Sequence, residues 1–207
     1  PVFGIGNSSF GGIYQGKIAN ENATWEIGRK MNLGFETSFL KDRIGLNLDF
    51  FHERRSDILT DVSAVTPSHV GASFKSANVG IVENKGFEME AVFRGNVGKD
   101  FNYSIKGNYS FTRNKVVEKA DPSGALAYQK EAGYSIGVPL VYKAIGIYQD
   151  YADIYNSPNQ MTLPGNSEIY PGDLKYLDFN NDGQIDIYDA FRQGYGSVPE
   201  IQYGITF

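Results

Sequence analysis

The chain has no cysteine among its 207 residues. Disulfides and thiolate metal sites are therefore excluded, as they are in compartments where thiols are avoided. Histidine is nearly absent, with two copies, His52 and His69, far apart and without a surrounding ligand cluster, which argues against a zinc site. No run approaches the ~20 apolar residues of a membrane helix; the most apolar window, GVPLVYKAIGIY, is broken by Pro139 and Lys143. Excess positive charge is also missing. Nineteen Lys and Arg stand against 24 Asp and Glu, for a net charge of −5, with the cations dispersed, so no nucleic-acid partner is expected. Neither a nucleophile elbow nor a phosphate-binding glycine loop occurs, and the Gly4-Ile-Gly6 fragment is too short to count. Nothing points to an enzyme.

What is abundant is aromatic and alternating. Tyr and Phe number 14 each, and Gly 24. From Trp25 the odd positions Ile27, Met31, Leu33, Phe35 and Phe39 alternate with Glu26, Gly28, Lys30, Asn32 and Glu36. After the turn Leu40-Lys-Asp-Arg43, Ile44, Leu46, Leu48 and Phe50 alternate with Gly45, Asn47 and Asp49. A second hairpin repeats the design, with Phe87, Met89, Ala91 and Phe93, a turn at Gly98-Lys-Asp100, then Phe101, Tyr103, Ile105, Tyr109 and Phe111. Ile201, Tyr203, Ile205 and Phe207 form a last strand. Period 2 with one apolar and one polar face is the strand signature. Five antiparallel strands are predicted.

A soluble sandwich alternates too. Three features favour an all-β transmembrane barrel segment. The strands are long: Trp25 to Phe39 spans about 50 Å at ~3.3 Å per residue. The polar face is charged (Glu36, Asp49, Glu88, Glu90, Arg94, Lys106), as in a wet lumen. The apolar stretches lie beside the short turns, while the far ends turn polar at Arg29 and at His52, Glu53 and Arg54. Short turns alternate with long links, as in barrels with tight periplasmic turns and long outer loops. The expected organisation is an extracellular loop end at 1–22, barrel strands in two hairpins over 23–113, a long extracellular loop at 114–199 and a barrel strand at 200–207 that is cut short.

The long loop carries DFNNDGQIDIYD, residues 178–189, with the spacing of a calcium loop. Asp178, Asn180, Asp182, Gln184 through its carbonyl, Asp186 and Asp189 fall at the six ligand positions. Gly183 stands at the sharp turn and Ile185 at the apolar plug. An oxygen-only set suits Ca²⁺. The closing residue is Asp rather than Glu, and Pro171-Gly172 leaves no room for an entering helix, so a structural ion is expected rather than a sensor. An Asx-rich turn without metal is the other reading.

Glu88 and Glu90 point the same way on one strand; a hydrated lumen wall explains them better than glycosidic acid–base chemistry. Trp25, Tyr103, Tyr109 and Phe111 read as interface anchors. Tyr128, Tyr134, Tyr142, Tyr148, Tyr151 and Tyr155 either pack the loop's own core or stack on sugars.

The phrases NENATWEIGRKMNLGFETSFLKDRIGLNLDFF, NVGIVENKGFEMEAVF, NYSFTRNKVV, GYSIGVPLVYKAIGIYQD, PGDLKYLDFNNDGQIDIYDA and VPEIQYGITF occur in this order. Together they resemble the SusC-like TonB-dependent outer-membrane transporters (the RagA/SusC family) of Bacteroidetes-type bacteria. The resemblance implies a plugged barrel of on the order of 22 strands. It also implies import of oligosaccharides or peptides powered through TonB, and a SusD-like surface lipoprotein over the outer face. This chain has no plug domain or TonB box and too few strands to close, so a piece from the C-terminal part of a barrel in the cell outer membrane is expected. The rival reading is a soluble secreted β-domain with structural calcium, acting as an adhesin or glycan-binding module. It requires the apolar face to be covered by a second sheet.

Overall fold

The structure is a computed structural model. It describes residues 2–3, 10–11, 17–18, 20–65, 73–74, 76–160 and 168–207. Gly4, Gly6 and His69, and most of the 1–22 segment, lie outside the described residues. The chain divides into two units, 1–123 with 201–207, and 124–200.

In the first unit the short strands β1 (Val2–Phe3), β2 (Phe10–Gly11) and β3 (Lys17–Ile18) precede the long ones. These are β4 (Ile27–Phe39) and β5 (Ile44–Asp61), then, after a 3₁₀ turn at Ser63–Val65 and β6 (Ser73–Phe74), β7 (Ser76–Val97) and β8 (Phe101–Glu118). The second unit holds β9 (Leu140–Val141), β10 (Ala144–Ile147), α1 (Tyr151–Tyr155), β11 (Leu174–Tyr176) and β12 (Phe191–Arg192). The chain then returns to the first sheet as β13 (Ile201–Thr206).

The five predicted strands form one antiparallel sheet in the order β13-β8-β7-β5-β4, and it does not close. The strands extend beyond the alternation seen in the sequence, β7 to 22 residues and β5 and β8 to 18 each. Register is continuous from Ile44↔Phe93 to Arg55↔Val82, and shifts only beyond Arg55 on β5 and between Ile81 and Val82 on β7. Because side chains alternate with period 2, that register stacks like with like. Leu33, Phe50, Phe87, Phe111 and Ile201 share one cross-strand row, with ring centroids 6.0 Å apart for Phe50–Phe87 and 6.1 Å for Phe87–Phe111. Gly34, Asp49, Glu88, Ser110 and Gln202 share a row on the opposite face.

The apolar face is bare. Met31 is 74% exposed and Leu33 71%, and Phe35, Phe93, Ile105 and Ile205 are exposed too. Along β7 it runs from Phe87 to Val97, about 33 Å of extended chain. At a typical tilt of about 40° this is a band about 25 Å tall, the height of a barrel's lipid-facing belt.

The first hairpin turn places Leu40, Lys41 and Asp42 in the left-handed region, at φ 54°, 56° and 64°. Each costs a non-glycine residue roughly 1–2 kcal/mol. Neighbours hold the turn: Ser38 Oγ donates to Asp42 Oδ1, the Arg94 N–H donates to the Arg43 carbonyl, and the Arg94 guanidinium to the Asp42 carbonyl. At the far end the Asn78 side chain joins three segments. Its Nδ2 donates to the Thr24 and Asp57 carbonyls, and its Oδ1 accepts from the Thr24 N–H. It spans the irregularity at Asp57, whose φ is 56°.

On the polar face Phe51 lies over Gly86. A Cβ at Gly86 would meet the Phe111 carbonyl and stand 2.8 Å from Phe51 Cζ, whereas a Cβ at Gly45 meets nothing within 4 Å. Gly86→Ala is expected to destabilise the sheet by about 1–3 kcal/mol, and Gly45→Ala to leave it near neutral. Thermal unfolding of the two full-length variants in detergent checks this, and equal midpoints would contradict the packing role of Gly86.

Candidate metal loop and lumen wall

In the second unit, residues 178–189 fold into a turn closed by its own side chains. Gly183 takes φ +85°, the conformation that the spacing predicts for it, and Asn181 takes φ 59°. Asp178 accepts from the N–H groups of Asp182 (3.2 Å) and Gly183 (2.8 Å). Asn180 accepts from the Asp182 N–H (2.9 Å) and donates through Nδ2 to Asp182 Oδ2 (2.9 Å). Asp182 Oδ1 accepts from the Gln184 N–H, and Asp186 Oδ1 from the Tyr188 N–H. Asp189 is fully buried, with both oxygens engaged: Oδ1 accepts from Phe179 and Asn180, and Oδ2 from Asp186.

The donor set is all oxygen and fits a hard cation chemically. Among the described residues, however, no three acidic or imidazole side chains converge on one point. Most of the oxygens serve backbone N–H groups; Asp182 is exposed, and Asp178 and Asp186 are half-buried.

Ile185, the plug, is 1% exposed. Its N–H donates to the Asn159 carbonyl and the Asn159 N–H to the Gly183 carbonyl, a parallel bridge between Asn159 and Gln184. The loop thus has a pairing partner that lacks any loop motif, which sequence reading misses because the bridge is made by backbone alone. Gln160, the next residue, is buried; Tyr148 Oη and the Tyr176 N–H donate to its Oε1, and its Nε2 donates to the Leu174 carbonyl.

Around this turn the loop tyrosines divide. Tyr128 packs its ring 4.7 Å from Phe179, which stacks 4.4 Å from Phe191, and its Oη donates to the Tyr188 carbonyl. Burial, then the charges of Asp189, Asp186 and Asp182, raise its phenol above the ordinary value. Tyr142 packs on Tyr176 and Tyr148 is 2% exposed, so both belong to the unit's own core. Tyr151 and Tyr155, on α1, are 68% and 89% exposed. Arg192 ties the segment together, its guanidinium donating to the carbonyls of Gln129, Lys130 and Val138.

Glu88 and Glu90 stand on the polar face of the first sheet. Glu90 pairs with Lys106 at 2.7 Å, and Glu88 lies opposite Asp49 and Ser110. They line a groove with Asn47, Asn108 and Gln202. His52 sits on the opposite, apolar face between Met31 and Lys85.

The beta-barrel family described as TonB dependent receptor-like matches residues 2–198. TonB-dependent receptor P3 of Formosa agariphila is 28% identical over 198 residues, 89% of this chain and 19% of that protein. TonB-dependent receptor SusC of Bacteroides thetaiotaomicron is 27% identical over 175 residues, 84% of this chain and 17% of that protein. The chain therefore spans about a fifth of these relatives' length. Among solved structures, the RagAB peptide transporter superposes with a TM-score of 0.65 at 18% identity, over 99% of this chain and 22% of its own. The RagAB peptide importer in its open-open state superposes at 0.66 and 16% identity, over 99% of this chain and 21% of its own. These likenesses establish the fold.

Two outcomes are expected of the second unit. Asp189→Ala leaves three N–H groups without their charged acceptor and should cost about 1.5–3 kcal/mol, while Asp186→Ala, with one exposed bond, should cost far less; comparable losses on thermal unfolding would count against Asp189 as the keystone. Asp153 is held below its ordinary value of 3.8, chiefly by its hydrogen bond with Lys175 (2.7 Å). A lowered carboxyl stabilises the fold above its unfolded value and loses that contribution as pH falls through the folded value. The stability gap between wild type and Asp153→Asn should therefore be constant near neutrality and close below about pH 4; a gap that persists in acid would contradict the linkage.

Proposed function

Because the chain belongs to the TonB-dependent receptor-like β-barrel family, we propose that it is a wall segment of an outer-membrane transporter. The observation that carries this reading is the two-faced sheet. A bare apolar band runs across all five strands, about 25 Å tall where it is longest, on β7, backed by a face of Glu, Asp, Asn, Ser and Lys. Soluble monomers rarely leave so large an apolar patch uncovered. The soluble adhesin reading needs a covering sheet, and the exposure of Met31, Leu33 and Phe35 counts against one.

In this reading the sheet edges β4 and β13 continue into further strands of the receptor, since an open edge is not tolerated in hydrocarbon. The stretch 114–199 is the long extracellular loop in this reading. The work is passage of an oligosaccharide or peptide along the lumen, driven through TonB by a part of the receptor beyond this chain and covered by a SusD-like lipoprotein. The resemblance to SusC and to the RagAB importer supports that partner and those substrates. No bond chemistry is assigned to any residue. Calcium at Asp178, Asn180, Asp182, Gln184, Asp186 and Asp189 would stiffen the outer loop, supported by ligand spacing, the turn at Gly183 and the buried plug Ile185.

Fractionation of the source cells tests the main reading. The expected result is an outer-membrane chain several times longer than this one that co-purifies with a lipoprotein; a short chain in the soluble or secreted fraction would overturn it. For the ion, calcium should raise the unfolding temperature of the purified receptor, a chelator should lower it, and Asp178→Ala with Asp182→Ala should abolish the difference. A profile indifferent to chelator would refute calcium and leave a self-closing turn.

A further inference from the structure

The polar face of the five-stranded sheet carries one aromatic side chain among its described residues, Phe51. Every other aromatic of these strands falls on the apolar face. A wall that faces water has no solvent reason to hold a ring there. Covering the backbone at Gly86 accounts for one side of the ring. The side chain is still only half-buried, so its other side looks away from the sheet. Glycines flatten the ground around it. A Cβ at Gly34 would stand 2.8 Å from Asp49 Oδ1, and one at Gly204 2.7 Å from Asn108 Oδ1. Asp49, Phe51 and Asn108 therefore lie along the wall, across glycines, instead of standing out from it. The row next to Phe51 opens into a groove of about 400 Å³, the size of a small-ligand cleft.

The groups at the rim of the ring are of both hydrogen-bonding kinds. Asn32 and Thr112 flank Phe51 and Gly86 in one cross-strand row, and Asp49, Glu88 and Ser110 stand in the next row of the same face. Neighbouring strands lie about 4.8 Å apart, so these side chains border the ring. Amides and hydroxyls donate and accept, whereas carboxylates accept. An alcohol also does both, but an ammonium or guanidinium only donates. A cationic peptide side chain would use the ring and the carboxylates and leave the donors of Asn32, Thr112 and Ser110 unanswered. A sugar ring answers all of them, with its C–H face on the aromatic and its hydroxyls at the rim.

We propose that Phe51 is a stacking platform on the lumen wall for one pyranose residue of an uncharged oligosaccharide, with Asn32, Asp49, Glu88, Ser110 and Thr112 taking its hydroxyls. The site rests on the transporter reading above and selects oligosaccharide over peptide as the cargo. Phe51 follows Phe50, which stands in the last apolar row before the long-loop side. The platform is thus at the outer end of the lumen, where a ligand from outside first meets the wall. Gly86 belongs to the site because it lets the ring lie flat.

The test uses the full-length receptor in detergent, titrated calorimetrically with cellohexaose and xylohexaose as uncharged probes and with hexalysine as the cationic rival. Both sugars are expected to bind, because stacking reads the C–H face and not the linkage. Phe51→Leu keeps an apolar cover over Gly86 but removes the flat ring. It should weaken both sugars roughly tenfold while the unfolding temperature stays close to wild type. Phe51→Tyr should bind like wild type, and Phe50→Leu, on the apolar face of the same strand, should leave affinity unchanged. Sugar affinity indifferent to Phe51→Leu, binding of neither sugar, or hexalysine bound in their place through Phe51 would overturn the proposal. Recovery of the receptor from the soluble fraction would instead overturn the transporter reading, so the two failures are distinguishable.

Discussion

The structure depends on one constraint: cross-strand register. A slip of one residue between any two of the long strands would turn the apolar row Leu33–Phe50–Phe87–Phe111 into the lumen and place Asp49 and Glu88 in lipid. Register is therefore kept without interruption through the whole apolar band. It is relaxed only beyond Arg55 on β5 and at Ile81–Val82 on β7, outside that band. There the positive φ of Asp57 and the side-chain clamp of Asn78 replace regular pairing. The irregular part of the sheet lies outside the apolar band.

The same contrast explains what could be read in the sequence. Within the band, two different solvents face the two sides, so alternation was unmistakable and all five strands were found. Above the band that signal fades, and the upper ends of β5, β7 and β8, with the Asp57 irregularity, were not visible as strand. In the second unit, β9 to β12 have two to four residues each, too few to show a period. The turn at 178–189 was legible because its chemistry needs Asp, Asn and Gly at fixed offsets. Its closure onto Asp189 and its bridge to Asn159 were not, since backbone N–H and carbonyl groups carry no residue identity.

The second unit solves a different problem. It has a single five-residue helix and little apolar core among its described residues: Val138, Tyr148, Ile185 and Ala190. Its order comes from polar side chains that each satisfy several backbone groups. Asp189 takes three N–H groups, Gln160 joins β11 to Tyr148, and Arg192 gathers three carbonyls. A buried carboxylate, amide or guanidinium is tolerable only when its partners are complete. Such a network gives one defined arrangement to a segment too thin to exclude water by packing.

The upper boundary of the band shows how the two levels meet. On β5 the outward sequence passes from Phe50 to His52 and Arg54, on β7 from Phe87 to Lys85 and Glu83, and on β8 from Phe111 to Arg113 and Lys115. Three strands with unrelated local sequences change character in one cross-strand row. Alternation within a strand does not require that agreement, because period 2 fixes which face a residue occupies and says nothing of height. A solvent boundary crossing all three strands at one level does require it. Hydrocarbon below the row makes a charge costly, and the wetter surroundings above it tolerate one. The level of the change is therefore a property of the assembled sheet and its surroundings, written separately into each strand.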